Sequence, residues 1–238
     1  MNTTTQRIVR RNHQRSYMHE PEHHNAKNAL IHAAGELFAE HGFDGVTVRD
    51  IAKRAHANLG SMSYHFENKE ALYQEVVRCA IDITQKQDWM SIADSAPTAD
   101  VSPHDLARAI IACIRVQLAG IMCRTDRPWR HKIILRELMQ PTEAWNTLVE
   151  HKILPELECY TRLYRKAIPH ATDFDAKIWT FTLHSHAAFY IISMGNMHRL
   201  TGADPLSEAF VESIINHVSR LMVASAGLPY PPAVTSTP

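Results

Sequence analysis

The chain has 238 residues, 25 Lys+Arg against 25 Asp+Glu, and four cysteines. That length holds one or two domains with a substantial core, and the scatter of Cys79, Cys113, Cys123 and Cys159 without CxxC spacing argues against a disulfide framework. No apolar run approaches the roughly 18 residues of a membrane span and no N-terminal stretch has a signal-peptide apolar region, so a soluble cytoplasmic protein without membrane contact is expected.

Residues 1–24 are polar and lack apolar periodicity, which reads as a disordered arm. Arg7, Arg10, Arg11 and Arg15 against Glu20 and Glu22 give it a net charge of +2. Residues 25–75 then pack three helical patterns and a tight turn. Leu30, Ala33, Ala34, Leu37 and Phe38 recur on one helical face, and Gly42 suits a left-handed stop. Thr47 precedes Val48, Ile51, Ala52 and Ala55 at helical spacing and forms a capping box with Asp50. His56-Ala57 breaks the pattern, and Asn58 is a good cap for a short third helix. Met62 and Phe66 face inward there, which leaves Leu59, Gly60, Ser61, Ser63, Tyr64 and His65 outward or at the flanks. A helix, a short turn and a second helix form the helix-turn-helix arrangement, whose second helix enters the DNA major groove.

This segment resembles the N-terminal domain of TetR-family transcriptional regulators. The residues that carry the resemblance are Ala34, Phe38, Gly42, Thr47, Asp50-Ile51-Ala52, Ala55, the run Asn58 to Phe66, and Asn68-Lys69-Glu70-Ala71-Leu72. His56 stands where the family usually has glycine, and Ser63 replaces a common tyrosine. The resemblance implies that Thr47, Tyr64, His65 and Lys69 hold phosphates while Leu59, Gly60, Ser61 and Ser63 face bases, with Asn58 at the helix start. Phosphate contacts set register and base contacts set sequence. Residues 26–75 carry five Lys or Arg against seven Asp or Glu, a net −2, so the arm is expected to supply phosphate attraction.

Asn68 caps a fourth helix with a stripe of Leu72, Val76, Ala80 and Ile83. Residues 93–103 read as a loop, and Ser102-Pro103 starts a helix to about Cys123 that is apolar on several sides, a central core helix. Pro128-Trp129 opens another helix, stopped by Pro141-Thr142. Pro155 falls within the next pattern, Trp145 to Ile168, and should kink it. The last pair spans about Phe174 to Leu200 and Pro205 to Ala226, ended by Gly202 and Gly227. The predicted class is all-α: a helix-turn-helix domain at 25–75, a larger helical effector-binding and dimerisation domain at 76–228, and a loose tail at 229–238.

The run Ile134 to Thr142, with Pro155 beyond it, resembles the C-terminal domain of the CecR-like TetR subgroup. The family resemblance implies a homodimer, an inverted-repeat operator in double-stranded DNA, and a small-molecule effector inside the C-terminal helices. Candidate effector residues are Gln117, Trp129, His131, Glu137, His184 and His186; Glu137 beside Arg136 also reads as an ordinary surface pair. His184 and His186 point about 200° apart on a helix, which weakens a shared metal site. The dimer seam is expected from Phe181, Ala188, Ile191 and Ile192 on one helix with Phe210, Ile214, Val218 and Leu221 on the other. No nucleophile elbow, HExxH, P-loop or glycine-rich cofactor turn is present, so no enzyme and no cofactor is expected. Two alternatives stay open on the residues alone: the same DNA chemistry with a metal or redox effector, and a helical small-molecule-binding protein or enzyme without DNA binding.

Overall fold

A computed structural model describes residues 22–81, 101–122 and 129–232. The chain divides into two compact units, one ending at Val76 and the other beginning at Val77. Every regular element among the described residues is helical. Residues 1–21 of the expected arm, Ile83, most of the 93–103 loop, Cys123 and the end of the tail lie outside the described residues, while residues 22–24, expected in the arm, begin the first helix.

The first unit contains α1 (Glu22–His41), α2 (Val48–Arg54) and α3 (Leu59–His65), with α4 (Lys69–Ala80) starting in it and crossing the boundary. On α1, Leu30, Ala34 and Phe38 are fully buried. The helix stops because Gly42 turns left-handed at φ 78° and its N–H donates to the Phe38 carbonyl at 2.9 Å. Gly45 is required by contact: a Cβ there would stand 2.5 Å from the His41 carbonyl oxygen. Phe43 then stacks on Phe38 at 5.8 Å, and Tyr73 meets both rings edge-on at 5.0 and 5.1 Å, which fixes the start of α4 against the end of α1.

Between α2 and α3 the expected departure from glycine is realised as backbone strain. His56 sits at φ 51°, a conformation that disfavours residues with a Cβ by about 1–2 kcal/mol. Part of that penalty is offset because glycine loses more freedom on folding. His56→Gly is therefore expected to raise stability by about 0.5–1 kcal/mol, roughly 1–4 °C in Tm. A thermal melt that moves downward would show that the His56 side chain contributes more than its backbone strain removes.

The second unit is built on α5 (Pro103–Met122), α6 (Trp129–Met139), α7 (Trp145–Leu148), α8 (Leu154–Ala167), α9 (Asp173–Thr201) and α10 (Glu208–Ser225). Ser102 caps α5, accepting the Asp105 N–H at 3.1 Å with Pro103 in the first helical position. As its all-round apolar pattern predicts, α5 is central: Leu106, Ala107, Ile110, Cys113, Ile114 and Leu118 are enclosed by α8, α9 and α10. Arg115 pairs with Glu212 on α10 at the rim of that contact. α9 opens on a capping box, Thr172 with Asp175, and closes on left-handed Gly202. α10 begins later than the Asp204 cap predicts. Ser207 caps it instead, while the Asp204 carboxylate accepts the Leu206 N–H in the preceding turn.

Pro155 changes the Trp145 to Ile168 pattern by more than a simple kink. α7 passes into a π-helical turn, Val149–Ile153, before α8 starts. Proline has no N–H for the carbonyl four residues back. The ladder shifts just before it, with the Leu154 N–H donating to the Val149 carbonyl five residues earlier.

Candidate functional site

In the first unit, Asn58 takes extended geometry (φ −88°, ψ 162°) and its Oδ1 accepts the Ser61 N–H at 2.7 Å. That bond starts α3 and fixes which residues turn outward. Met62 and Phe66 go into the core, while Leu59, Gly60, Ser63 and Tyr64 are exposed and Ser61 and His65 are half-buried. Tyr64 is 75% exposed, with its ring edge-on to His65 at 5.0 Å. Ser63 Oγ donates back to the Leu59 carbonyl at 3.2 Å, so its lone pairs face outward. A side chain at Gly60 would approach the Asn58 capping oxygen to 3.2 Å, so glycine protects the cap as well as leaving room.

Thr47 and Lys69, which the resemblance implies hold phosphates, also make bonds within the unit. Both donors of Thr47 go to Asp50: its N–H at 3.0 Å and its hydroxyl at 2.6 Å. Those bonds hold the Asp50 carboxyl below its ordinary range. The Lys69 ammonium donates to the Phe43 and Val46 carbonyls at 3.0 and 3.1 Å and lies 4.2 Å from the Phe43 ring centroid. Thr47 and Lys69 thus shape the loop leading into α2. Arg54 is held by Glu36 on α1. The other exposed cations on α2 are Arg49 and Lys53, to which the sequence assigns charge but no specific role.

The second unit holds a buried polar cluster. Glu156, in the first turn of α8, pairs with Lys152 from the π-turn, and its Oε2 lies 3.0 Å from His184 Nε2 on α9. His184 Nδ1 sits 2.8 Å from the Thr180 carbonyl. Burial pushes the Glu156 carboxyl up, but Lys152 and His184 outweigh it and hold it at about 2. Tyr160, one turn further along α8, donates to Gln117 Oε1 on α5 at 2.8 Å and meets the His184 ring edge-on at 5.9 Å. Burial raises the Tyr160 hydroxyl well above its usual value, so it remains a donor.

Of the sequence candidates, Gln117 and His184 come together here, bridged by Tyr160. Trp129, His131 and Glu137 lie apart on α6. Glu137 is no surface pair: it is fully buried and accepts the Thr142 N–H at 3.2 Å and the Thr142 hydroxyl at 2.9 Å. Its carboxylate satisfies the turn after α6. Sequence reasoning missed Lys152, Glu156 and Tyr160. One readable signal existed, since Glu156 shares an i, i+3, i+4, i+7 stripe with buried Cys159, Tyr160 and Leu163.

The expected dimer seam is divided by the structure. On α9, Phe181 and Ile192 are 51% and 65% exposed, and Phe174, Ile178 and Phe189 share their face; Ala188 and Ile191 are half-buried at its flank. On α10, Ile214 and Val218 are 6% and 1% exposed and belong to the unit's own core, with half-buried Phe210 packed against it. Only Leu221 of that set is exposed, because the buried stripe Val211, Ile214, Ile215, Val218, Met222 faces α5.

The first unit defines a helix-turn-helix protein. The model of bacterial regulatory proteins of the tetR family matches residues 30–76, and that of the C-terminal domain of the HTH-type transcriptional dual regulator CecR matches residues 106–226. The CecR dual regulator of Shigella flexneri is 32% identical over 165 residues, 68% of this chain and 71% of that protein. The biofilm operon icaADBC negative transcriptional regulator IcaR of Staphylococcus aureus (strain Newman) is 41% identical over 56 residues, which are 24% of this chain and 30% of IcaR's length. A putative transcriptional regulator from Pseudomonas aeruginosa PAO1 shares the fold at TM-score 0.60 and 19% identity, over 90% of this chain and 97% of that one. AibR, solved with isovaleryl coenzyme A and operator DNA, does so at TM-score 0.59 and 14% identity, over 82% and 97%. The chain belongs to the TetR family of bacterial regulatory proteins, with a C-terminal domain of the CecR type. Among the described residues no helix is long and apolar enough to cross a membrane.

Proposed function

We propose that this protein is a homodimeric transcriptional repressor that binds an inverted-repeat operator and is released by a small-molecule effector held in its second unit. The observation that carries the DNA reading is α3. A core-anchored helix leaves a 75% exposed tyrosine beside Ser63, Gly60 and Leu59, an arrangement that fits entry into a major groove. Serine hydroxyls meet several base edges and a glycine allows close approach. Thr47 and Lys69 serve this surface by fixing the loop before α2, and Arg49 and Lys53 lie on α2 as phosphate partners. IcaR is a negative regulator, which supports repression, and AibR was solved with isovaleryl coenzyme A and operator DNA, which supports a small-molecule effector.

Ser61→Ala and Tyr64→Ala are each expected to weaken specific operator binding about tenfold or more, the scale of one lost base or phosphate contact. Circular dichroism should show both variants folded, because neither side chain packs in the core. Gel shifts on the DNA upstream of the protein's own gene measure the effect. Parental affinity in both variants would remove α3 from the recognition role.

A further inference from the structure

Lys152, Glu156 and His184 come from three elements of the second unit: the π-turn, the first turn of α8 and the middle of α9. One carboxylate is gripped at both oxygens, Oε1 by the Lys152 ammonium and Oε2 by His184 Nε2 at 3.0 Å. His184 is itself steered by the Thr180 carbonyl at 2.8 Å. Both partners of the ring are acceptors, so the imidazole satisfies both when it carries both protons. Two donors converging on the two oxygens of one carboxylate form a carboxylate receptor whose present occupant belongs to the chain.

Burial gives the receptor a direction. The Glu156 side chain is 7% exposed, whereas Lys152 and His184 are 28% and 33% exposed. A molecule arriving from solvent therefore meets the two donors before the acceptor. An ion pair at this depth does little net work for stability compared with apolar packing, so its presence asks for another reason. Anions cannot be added beside Glu156 without like-charge repulsion; they can only replace it. Glu156 stands directly after the π-turn, where the backbone ladder has already shifted register, and such turns are frequent at functional sites. Beside His184, Tyr160 offers a ring, with Trp179 6.5 Å from it and Tyr164 5.1 Å from Trp179. Tyr160 and Trp179 are 1% and 5% exposed, so these rings form the apolar core wall behind His184.

We propose that the effector is an organic acid whose carboxylate takes the place of Glu156 between Lys152 and His184. The exchange keeps one negative charge on the two donors and frees the Glu156 bridge between α8 and α9, which gives the ligand differential affinity for a second arrangement of these helices. The inference rests on the second unit being the effector-binding part.

Titration calorimetry and thermal shift with the full chain test it, using benzoate, phenylacetate and octanoate against their methyl esters as probes. The acids are expected to bind and raise Tm, and the esters to bind at least about tenfold more weakly. Glu156→Gln, which removes the charge of the internal competitor, is expected to tighten acid binding severalfold. Lys152→Met is expected to weaken it about tenfold while circular dichroism stays unchanged. Acids that fail to bind, acids and esters that bind alike, or a folded Glu156→Gln protein with unchanged or weaker acid affinity would each overturn the proposal. Gel shifts without added ligand separate the two readings. Operator binding with no acid binding sinks the carboxylate receptor alone. Acid binding with no operator binding sinks the repressor reading and leaves the receptor standing.

Discussion

Glutamate at both Phe181 and Ile192 is expected to leave a folded monomer of 27.0 kDa with operator affinity reduced at least about a hundredfold. The two residues are 51% and 65% exposed on a face of α9 that also carries Phe174, Ile178 and Phe189. At about 100° per residue these five positions fall within a narrow arc, so the face is an apolar stripe, interrupted at Ser185, that a monomer would leave in water. Burying one such side chain contributes about 1.5–3 kcal/mol. In a two-fold interface each residue is buried twice, and each substitution places two carboxylates in it. A symmetric operator is read by two recognition helices at once, about one DNA turn apart, so losing the partner removes half of the contacts. Light scattering and gel shift measure the two effects. Ile214→Glu is the control: Ile214 lies in the subunit's own core, and a charge there should unfold the second unit instead of giving a folded monomer. Persistence of the dimer mass in the Phe181/Ile192 variant would move the interface off this face.

The contrast between Ile214 and Phe181 shows where the sequence was legible. Periodicity groups residues by helical face, but it carries no information about which face meets the core. α10 turns Ile214 and Val218 toward α5, and only the fold of α5, about a hundred residues earlier in the chain, decides that. Local chemistry was read well. The Thr47–Asp50 box, the Asn58 cap, the Gly42 stop and Pro103 at a helix start all involve partners within a few residues. In α3 the outward residues followed from the cap and two core anchors, so the candidate DNA surface was visible in about ten positions. The buried cluster was not. Glu156 meets His184 across 28 positions and Tyr160 meets Gln117 across 43. The π-turn that sets Lys152 and Glu156 together is a register change that an ideal helical pattern does not contain. Glu137 was misread for a related reason: its turn partner Thr142 lies beyond the helix end, and a helix-face argument stops there.

Lowering the pH from 5 toward 2 is expected to remove roughly 3 kcal/mol of stability through Glu156 alone. Its carboxyl sits at about 2 in the folded chain against an ordinary 4.5. Burial alone would raise it; Lys152 and then His184 more than reverse that. The sign follows from linkage. A group whose folded value is depressed contributes stability that is complete above the unfolded value and is lost as pH falls through the folded one. The window is therefore pH 5 to 2, with no contribution to any change above it. Asp50, Asp105, Asp173 and Asp175 are also held below their ordinary values by hydrogen bonds, but all four are exposed, and solvent screening discounts them. Glu156→Gln isolates the buried group. At pH 7 the variant should be less stable than the parent by roughly 2–3 kcal/mol, since Lys152 loses its counter-charge while remaining partly solvated. The difference should shrink steadily below pH 5 as the parent's own carboxylate takes up its proton. Urea denaturation of both proteins at pH 7, 5, 4 and 3 gives the curve. A gap that stays constant across that range would mean that Glu156 acts through packing and not through its charge.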